Sequence, residues 1–313
     1  MGAHCAVSGG SNLPRAVDRI DPESSSLNLE GSLIPVVRFA YSTNAYTQFP
    51  LLEAINEIRR LGFEGVEILA DAPHAFPGGV NVAALACALK TSRLVISNLN
   101  GNTSLGLDTE KRDPTGFWPS FLDPDPGVRR MRMDYVKSVV DLARALGAES
   151  VCTASGRLPR GVSKSRASGF LIDALEPILA HAEKRPPVRL GVEYEPGFLI
   201  GDLRSLLGLL QKIRHPLLGA NLDLGHAVCV GDDPCEAIEA LQGRIWNMHV
   251  EDIRGRIHEH LVPGKGEIRF DRIRDAVEKG GYKGFLTLEL YPYKANPSEA
   301  GKRGLEFLKP IFA

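Results

Sequence analysis

The stretch VRLGVEYEPGFLIGDLRSLLGLLQKIRHPLLGANLD (188–223) places two short apolar runs on either side of a longer amphipathic segment. The first run, VRLGVEY (188–194), and the last, LLGANLD (217–223), have the length of buried strands. Between them, DLRSLLGLLQKI (202–213) repeats leucine at helical spacing. A strand, a helix and a second strand in this order predict a βαβ unit with two parallel strands.

The same alternation extends in both directions from this unit. Eight apolar runs predict strands, and each is followed by a helix-like run. The predicted strands are IPVVRFAYS (34–42), GVEILA (65–70), LVISNLN (94–100), SVCTA (150–154), VRLGVEY (188–194), LLGANLD (217–223), IWNMHV (245–250) and FLTLEL (285–290). Eight alternating units predict an α/β fold, a closed (β/α)8 TIM barrel. A doubly wound open sheet is the alternative, but no GxGxxG turn follows the first strand.

The first 33 residues have a different composition from the rest. They contain many Ser, Gly, Asn and Pro residues and few large apolar ones, which predicts a flexible N-terminal extension. We therefore expect residues 34–313 to form a single TIM-barrel catalytic domain.

Composition excludes several classes of protein. The 313-residue chain has a formal net charge of -1, whereas nucleic-acid and anionic-membrane binders usually carry a basic excess. No apolar run approaches the roughly 20 residues that cross a bilayer. The five cysteines form no CxxC pair, which is typical of reduced thiols and predicts a cytoplasmic protein.

Polar residues stand at the ends of the last four predicted strands. They are Glu193, Asp223, His249 and Glu289, and His226 follows Asp223 by three positions. In a TIM barrel, the C-terminal ends of the strands meet at one rim, where the active site lies. Carboxylates beside an imidazole form a site for a hard divalent cation, so the sequence predicts a metal site at this rim.

The chain resembles the xylose isomerase-like TIM barrels over about residues 34–312. The motifs that carry the resemblance are VRLGVEYEPG, NLDLGH, NMHVEDIRG, VPGKGEIRF and GFLTLEL, in the order found in that superfamily. It is most similar to the sugar phosphate isomerase/epimerase family, which is related to the ketose 3-epimerases and, more distantly, to endonuclease IV.

The resemblance implies a role for each matching residue. Glu193, Asp223, His249 and Glu289 would bind one divalent metal ion, with Mn²⁺ preferred and Mg²⁺, Co²⁺ or Zn²⁺ as alternatives. Glu193 and Glu289 would also be the catalytic acid and base. His226 and Arg254 would bind the substrate.

The sequence leaves the roles of several further possible ligands open. Glu195 competes with Glu193 as a ligand, although Glu193 is preferred. The pair His258 and His260 leaves a second ion open. His74 is a further candidate at the rim, but an ordinary loop histidine is the preferred interpretation.

The implied function is a metal-dependent sugar, sugar-phosphate or polyol-ketone isomerase or epimerase. It would remove a proton next to a carbonyl and form an enediolate. The alternatives are a metal-dependent dehydratase of an inosose-like substrate, an endonuclease IV-like phosphodiesterase and a non-catalytic sugar-binding barrel. We expect a small-molecule partner, no nucleic acid and no membrane, with a homo-oligomer left open.

Overall fold

The structure, a computed structural model, describes residues 37–107 and 113–313. The predicted N-terminal extension at residues 1–33 lies outside the described residues. Eight parallel strands close into a barrel in chain order, and this confirms the predicted TIM barrel. The strands are β1 (Arg38–Ser42), β2 (Gly65–Leu69), β3 (Val95–Asn100), β4 (Ser150–Ala154), β5 (Arg189–Glu193), β6 (Leu218–Asp223), β7 (Ile245–Val250) and β8 (Phe285–Leu288).

The connecting segments carry the outer helices. They are α1 (Leu51–Arg60), α2 (Val82–Ser92), α3 (Pro126–Leu146), α4 (Lys164–Ala182), α5 (Leu203–Lys212), α6 (Leu224–Val230), α7 (Pro234–Ala240), α8 (Phe270–Gly280) and α9 (Pro297–Leu308). Short 3₁₀ helices follow β1 and β8. Within the described residues, no helix combines the length and the apolar character that crossing a bilayer requires.

Helix boundaries follow from capping side chains. The carboxylates of Asp202, Asp223 and Asp233 accept hydrogen bonds from backbone N–H groups at the starts of α5, α6 and α7. At the other end, Gly62 follows α1 with a φ of +94° and Gly281 ends α8 with a φ of +63°. Both glycines adopt the left-handed conformation that commonly terminates a helix.

The pairing of β8 with β1 closes the barrel. Arg38 pairs with Phe285 and Tyr41 pairs with Leu288, so the first and last strands run side by side in the same direction. Closure leaves no strand edge exposed and brings all eight C-terminal strand ends to one rim.

The register of the sheet shifts at two places, and both adjoin buried polar side chains. The pairing of β2 with β3 shifts between Val66 and Glu67, and that of β6 with β7 shifts between Ala220 and Asn221. Such irregularities re-aim the side chains that follow them. Glu67 and Asn221 are both fully enclosed in the barrel, beneath the rim.

Candidate metal centre

Strands β5 to β8 bring four ligand-type side chains to one point at the rim. Glu193 ends β5, Asp223 ends β6, His249 lies within β7, and Glu289 follows β8 directly. Each offers one nitrogen or oxygen atom, and these four atoms all lie within 4.8 Å of one another. All four residues are buried. We call them the rim cluster.

The spacing within the rim cluster is that of atoms around a cation. Nδ1 of His249 lies 3.5 Å from Oε2 of Glu193, 3.8 Å from Oδ2 of Asp223 and 3.6 Å from Oε2 of Glu289. These distances are too long for well-formed hydrogen bonds. Ligands bound at about 2.0–2.2 Å from a shared ion lie roughly 3–4 Å from one another, which fits the cluster.

Glu67 fixes the orientation of the His249 ring. Nε2 of His249 lies 2.7 Å from Oε2 of Glu67, which leaves Nδ1 directed at the rim cluster. Burial raises the pKa of Glu67, but the neighbouring His249 outweighs burial and holds this pKa below its usual value. A carboxylate behind a ligating histidine sets the tautomer and raises the basicity of the ligand nitrogen.

Asparagine amides hold one oxygen of each glutamate. Asn102 donates to Oε2 of Glu193 at 2.9 Å, and Asn221 donates to the same atom. Asn44 donates to Oε1 of Glu289 at 2.8 Å, and Asn100 donates to this atom at 3.2 Å. The two carboxylates are therefore fixed in orientation before any ligand binds.

The charge balance of the rim cluster favours a bound cation. Oδ2 of Asp223 is buried and has no hydrogen-bond partner, although Oδ1 of the same group caps α6. Burial, together with the carboxylates of Glu193 and Asp223, raises the pKa of Glu289 to about 8 despite His249 nearby. The cluster thus crowds three buried carboxylates around one imidazole, and a divalent cation would stabilise their charged forms.

A cavity of about 470 Å³ opens above the rim cluster. Its lining includes Glu193, Glu289 and His226, together with the aromatic side chains of Phe117 and Tyr291. This volume lies within the range of small-molecule binding sites.

A family model described as xylose isomerase-like TIM barrel matches residues 55–311. The chain belongs to this family. Fructoselysine 3-epimerase of Shigella flexneri is 22% identical to this xylose isomerase-like barrel over 282 residues, which cover 86% of this chain and 96% of the epimerase.

Solved structures show the same fold. One described as a D-tagatose 3-epimerase-like protein superposes with a TM-score of 0.71 at 22% identity, over 88% of this chain and 100% of the other. Another, the IolI protein with a binding zinc atom, superposes with a TM-score of 0.72 at 15% identity, over 88% of this chain and 99% of the other. At these identities the likeness establishes the fold.

His226 lies beside the rim cluster in this xylose isomerase-like barrel. It is on α6, and its Nδ1 lies 3.5 Å from Oε1 of Glu193 and 3.1 Å from the carbonyl oxygen of Tyr194. Glu195 lies on the other side of the ring, with Oε2 3.6 Å from Nε2 of His226. Burial raises the pKa of Glu195 to about 7, against the effect of His226. Glu195 therefore forms one set of possible metal ligands with Glu193 and His226. Glu193 belongs to this set and also to the rim cluster.

The structure does not bring Arg254 to the site. Its side chain is exposed, and its guanidinium donates to the carbonyl oxygen of Lys265 at 2.6 Å. It is also absent from the described lining of the cavity. The loop after β7 folds back on residues 263–268, so Arg254 lies away from the described cavity lining, and its substrate-binding role stays a prediction.

His74 is a buried structural histidine. Its Nε2 lies 3.1 Å from the carbonyl oxygen of Tyr46 and 3.2 Å from that of Phe49, so the ring connects the loop after β2 to the loop after β1.

Among the described residues, Cys87, Cys152, Cys229 and Cys235 are free thiols.

Asp252 organises the glycine-rich loop PGKGEI (263–268). Its Oδ2 accepts hydrogen bonds from the backbone N–H groups of Gly264 at 2.9 Å and Gly266 at 2.8 Å, and its Oδ1 accepts one from Ile268 at 3.0 Å. A Cβ at position 266 would collide with this carboxylate, so the loop requires glycine there. Asp252 shapes the loop and is not one of the rim cluster.

Asp252→Asn is expected to lower the free energy of unfolding by about 1–2 kcal/mol. The amide nitrogen of asparagine would replace one carboxylate oxygen, and the backbone N–H groups that donate to that oxygen would lose their acceptor. Chemical denaturation of the two proteins measures the change. Asp275→Asn on the exposed face of α8 is the control and should leave stability unchanged. Equal stability of the Asp252 and Asp275 variants would contradict the assignment.

Proposed function

We propose that this protein is a divalent-metal-dependent isomerase or epimerase of sugars or related hydroxy-ketones. The observation that carries the proposal is the placement of Glu193 and Glu289. Both glutamates lie in the rim cluster, and both line the same cavity. Two carboxylates that face one bound substrate can remove a proton from carbon and return one. When bound, the cation supplies positive charge that stabilises the negative charge developing on the substrate's carbonyl oxygen.

The two glutamates differ in their surroundings. Oε2 of Glu193 is held by Asn102 and Asn221, whereas Oε1 of Glu289 is held by Asn44 and Asn100. Each carboxylate therefore keeps a fixed orientation, and Oε1 of Glu193 and Oε2 of Glu289 are the oxygens that these amides leave free. One glutamate removes the proton next to the carbonyl, and the other, which starts protonated, donates its own proton to the opposite face or to the neighbouring carbon.

The lining of the cavity suits a polyhydroxylated substrate. The polar residues Asn44, Asn102, Thr47 and Thr103 line it, together with Phe117. Neutral donors and acceptors next to an aromatic surface recognise hydroxyl groups and the apolar face of a sugar. The family relative named fructoselysine 3-epimerase matches over almost its whole length, which supports this substrate class.

The wild-type protein is expected to exchange one carbon-bound hydrogen of its sugar with solvent. Free ketoses, inososes and hydroxypyruvate would be incubated with Mn²⁺ in deuterated buffer and followed by NMR. An epimerase loses the signal of the hydrogen next to the carbonyl as signals of the epimer grow, and an isomerase forms the aldose instead. Exchange should stop on chelation and resume when Mn²⁺ is restored.

Other results would assign another reaction. Accumulation of an unsaturated or diketone product from an inosose would identify a dehydratase. Cleavage of a duplex with an abasic site, without exchange on any sugar, would refute the proposal in favour of a phosphodiesterase. Tight metal-dependent sugar binding without exchange would indicate a non-catalytic barrel.

A further inference from the structure

A buried arginine lies behind the loop that follows β3. Arg132 is on α3, and only 2% of its surface is exposed. Its hydrogen-bond partners in the described part of the chain are carbonyl and hydroxyl oxygens, none of which is charged. Arginine stays protonated in proteins, and a buried charge lowers stability unless its surroundings compensate for it. The position of this charge therefore needs an explanation other than packing.

Arg132 holds the backbone just beyond the end of β3. Its Nη2 donates to the carbonyl oxygen of Gly101 at 2.9 Å and to that of Asn102 at 2.7 Å, and it lies 3.1 Å from Oγ1 of Thr153 in β4. Hydrogen bonds from a charged donor are roughly twice as strong as those between neutral groups. The guanidinium therefore binds the loop after β3 firmly to the next strand of the barrel.

Two aromatic rings fix the guanidinium itself. Its Cζ lies 5.5 Å from the ring centroid of Phe121 and 5.3 Å from that of Tyr135, which are cation–π distances. Tyr135 is three positions after Arg132 on the same face of α3, and its hydroxyl oxygen lies 2.6 Å from the carbonyl oxygen of Thr103. One face of α3 thus contacts three consecutive carbonyl groups of the loop, those of residues 101–103.

Asn102 connects this loop to the rim cluster. Its backbone N–H donates to Oδ1 of Asn100 at 3.1 Å, and its carbonyl oxygen accepts the hydrogen bond from Arg132. Its side-chain amide donates to Oε2 of Glu193 at 2.9 Å. Asn102 lies two residues beyond the end of β3, so these hydrogen bonds, and not pairing within the sheet, set its position.

We propose that Arg132 is a positioning residue of the rim cluster, which acts through Asn102 to fix the carboxylate of Glu193. The proposal rests on the role of Glu193 in the proposed function, as a ligand of the cation and as a catalytic acid or base. Without the guanidinium, two buried carbonyl groups lose their donor, and the loop must shift to satisfy them elsewhere. Glu193 then loses the amide of Asn102 and keeps that of Asn221.

The test is the affinity of the full-length protein for Mn²⁺, measured by isothermal titration after chelator treatment. Arg132→Met keeps an unbranched side chain and removes its charge and its donors. We expect it to bind Mn²⁺ about 10-fold more weakly, at the lower end of the usual effect of altering a residue behind a metal ligand. Asn102→Ala should have an effect of similar size. In the double variant the two losses should not add, since both substitutions remove the same contact with Glu193.

Arg129→Met is the matched control. Arg129 lies on the same helix, donates to two backbone carbonyl oxygens just before the helix begins, and stacks on the ring of Phe170. Its contacts are therefore of the same kind but at the start of α3, and the variant should bind Mn²⁺ as the wild type does. Full affinity in Arg132→Met would overturn the proposal. Additive losses in the double variant would also overturn it, because Arg132 would then not act through Asn102.

Arg132→Lys decides the question if Arg132→Met does not fold. Lysine keeps the positive charge, but its shorter side chain cannot reach both carbonyl oxygens, so Mn²⁺ binding should weaken in this variant as well. Wild-type affinity in Arg132→Lys would show that the hydrogen bonds to the loop are not what positions Glu193, and the proposal would be wrong.

Hydrogen exchange of the metal-free protein gives a readout that depends neither on Mn²⁺ nor on sugar chemistry. The peptides that contain Gly101 and Asn102 should exchange faster in Arg132→Met and Arg132→Lys than in the wild type and Arg129→Met, because the loop is less firmly held. Equal exchange in all four proteins would refute the positioning role. A wild type that binds Mn²⁺ but exchanges no sugar hydrogen would refute the proposed function alone, since the Mn²⁺ affinities still decide the role of Arg132.

Discussion

Asp223→Asn is expected to lower turnover by at least about 10³-fold and to release the ion of the rim cluster, while the barrel stays folded. The two carboxylate oxygens of Asp223 have different surroundings. Oδ1 accepts a hydrogen bond of 2.7 Å from the backbone N–H of His226 and caps α6, whereas Oδ2 is buried without a hydrogen-bond partner. Asparagine caps a helix as well as aspartate does, so the substitution spares α6 and changes only the atom that faces the cluster.

The size of the effect follows from the charge that is lost. The variant replaces an anionic oxygen by an amide and removes one of the three carboxylates around the ion. A bound cation contributes several kcal/mol to stabilising charge in a transition state, and each 1.36 kcal/mol corresponds to a factor of ten in rate. Bound Mn²⁺ and turnover would be measured on the same preparations.

Asp233→Asn is the matched control for this prediction. Asp233 caps α7 as Asp223 caps α6, but it lies outside the rim cluster and pairs with Arg272 at the surface. The control should keep its metal and its activity, and circular dichroism should be unchanged in both variants. Full metal content and turnover in Asp223→Asn would remove Asp223 from the metal centre.

The barrel could be predicted from the sequence because its signals are local. Runs such as SVCTA (150–154) and IWNMHV (245–250) match β4 and β7 residue for residue, since a fully buried strand is a continuous apolar run. Helix α6 gives no separate signal in the sequence, because it begins directly at the end of β6 without a connecting loop between the two elements. Gly225 allows this close approach, since a side chain there would collide with the carboxylate of Glu251.

The placement of the rim cluster could also be predicted, because a TIM barrel brings consecutive strand ends together. The residues that hold the rim cluster in place could not be predicted, because each is far in the sequence from the residue that it contacts. Asn44 and Glu289 are 245 residues apart, and Glu67 and His249 are 182 residues apart. One local signal was available, namely the charged residue in the middle of the otherwise apolar strand GVEIL. The position of Arg254 could not be predicted either, because sequence spacing does not reveal which way a loop folds.

Glu67 is expected to control the metal affinity of His249 without touching the ion. Its carboxylate accepts hydrogen bonds from three asparagine amides, those of Asn98 at 2.9 Å, Asn100 at 3.2 Å and Asn247 at 3.3 Å, as well as the 2.7 Å contact with His249. The side chain is fully buried. All these neighbours present donors to it, so the site requires an acceptor with two oxygens and a negative charge.

Glu67→Gln is therefore expected to weaken metal binding about 10–100-fold, the usual cost of altering a carboxylate behind a ligating histidine. It should also lower the free energy of unfolding by about 2–3 kcal/mol, because one new amide N–H group would face the donor of Asn100 and the charged acceptor would be lost. Isothermal titration with Mn²⁺ and denaturation of the metal-free protein measure the two effects separately. Glu64→Gln, an exposed position just before β2, is the control and should change neither quantity. A purely structural role for Glu67 would lower stability and leave the affinity of the folded protein for Mn²⁺ unchanged, whereas a positioning role lowers both.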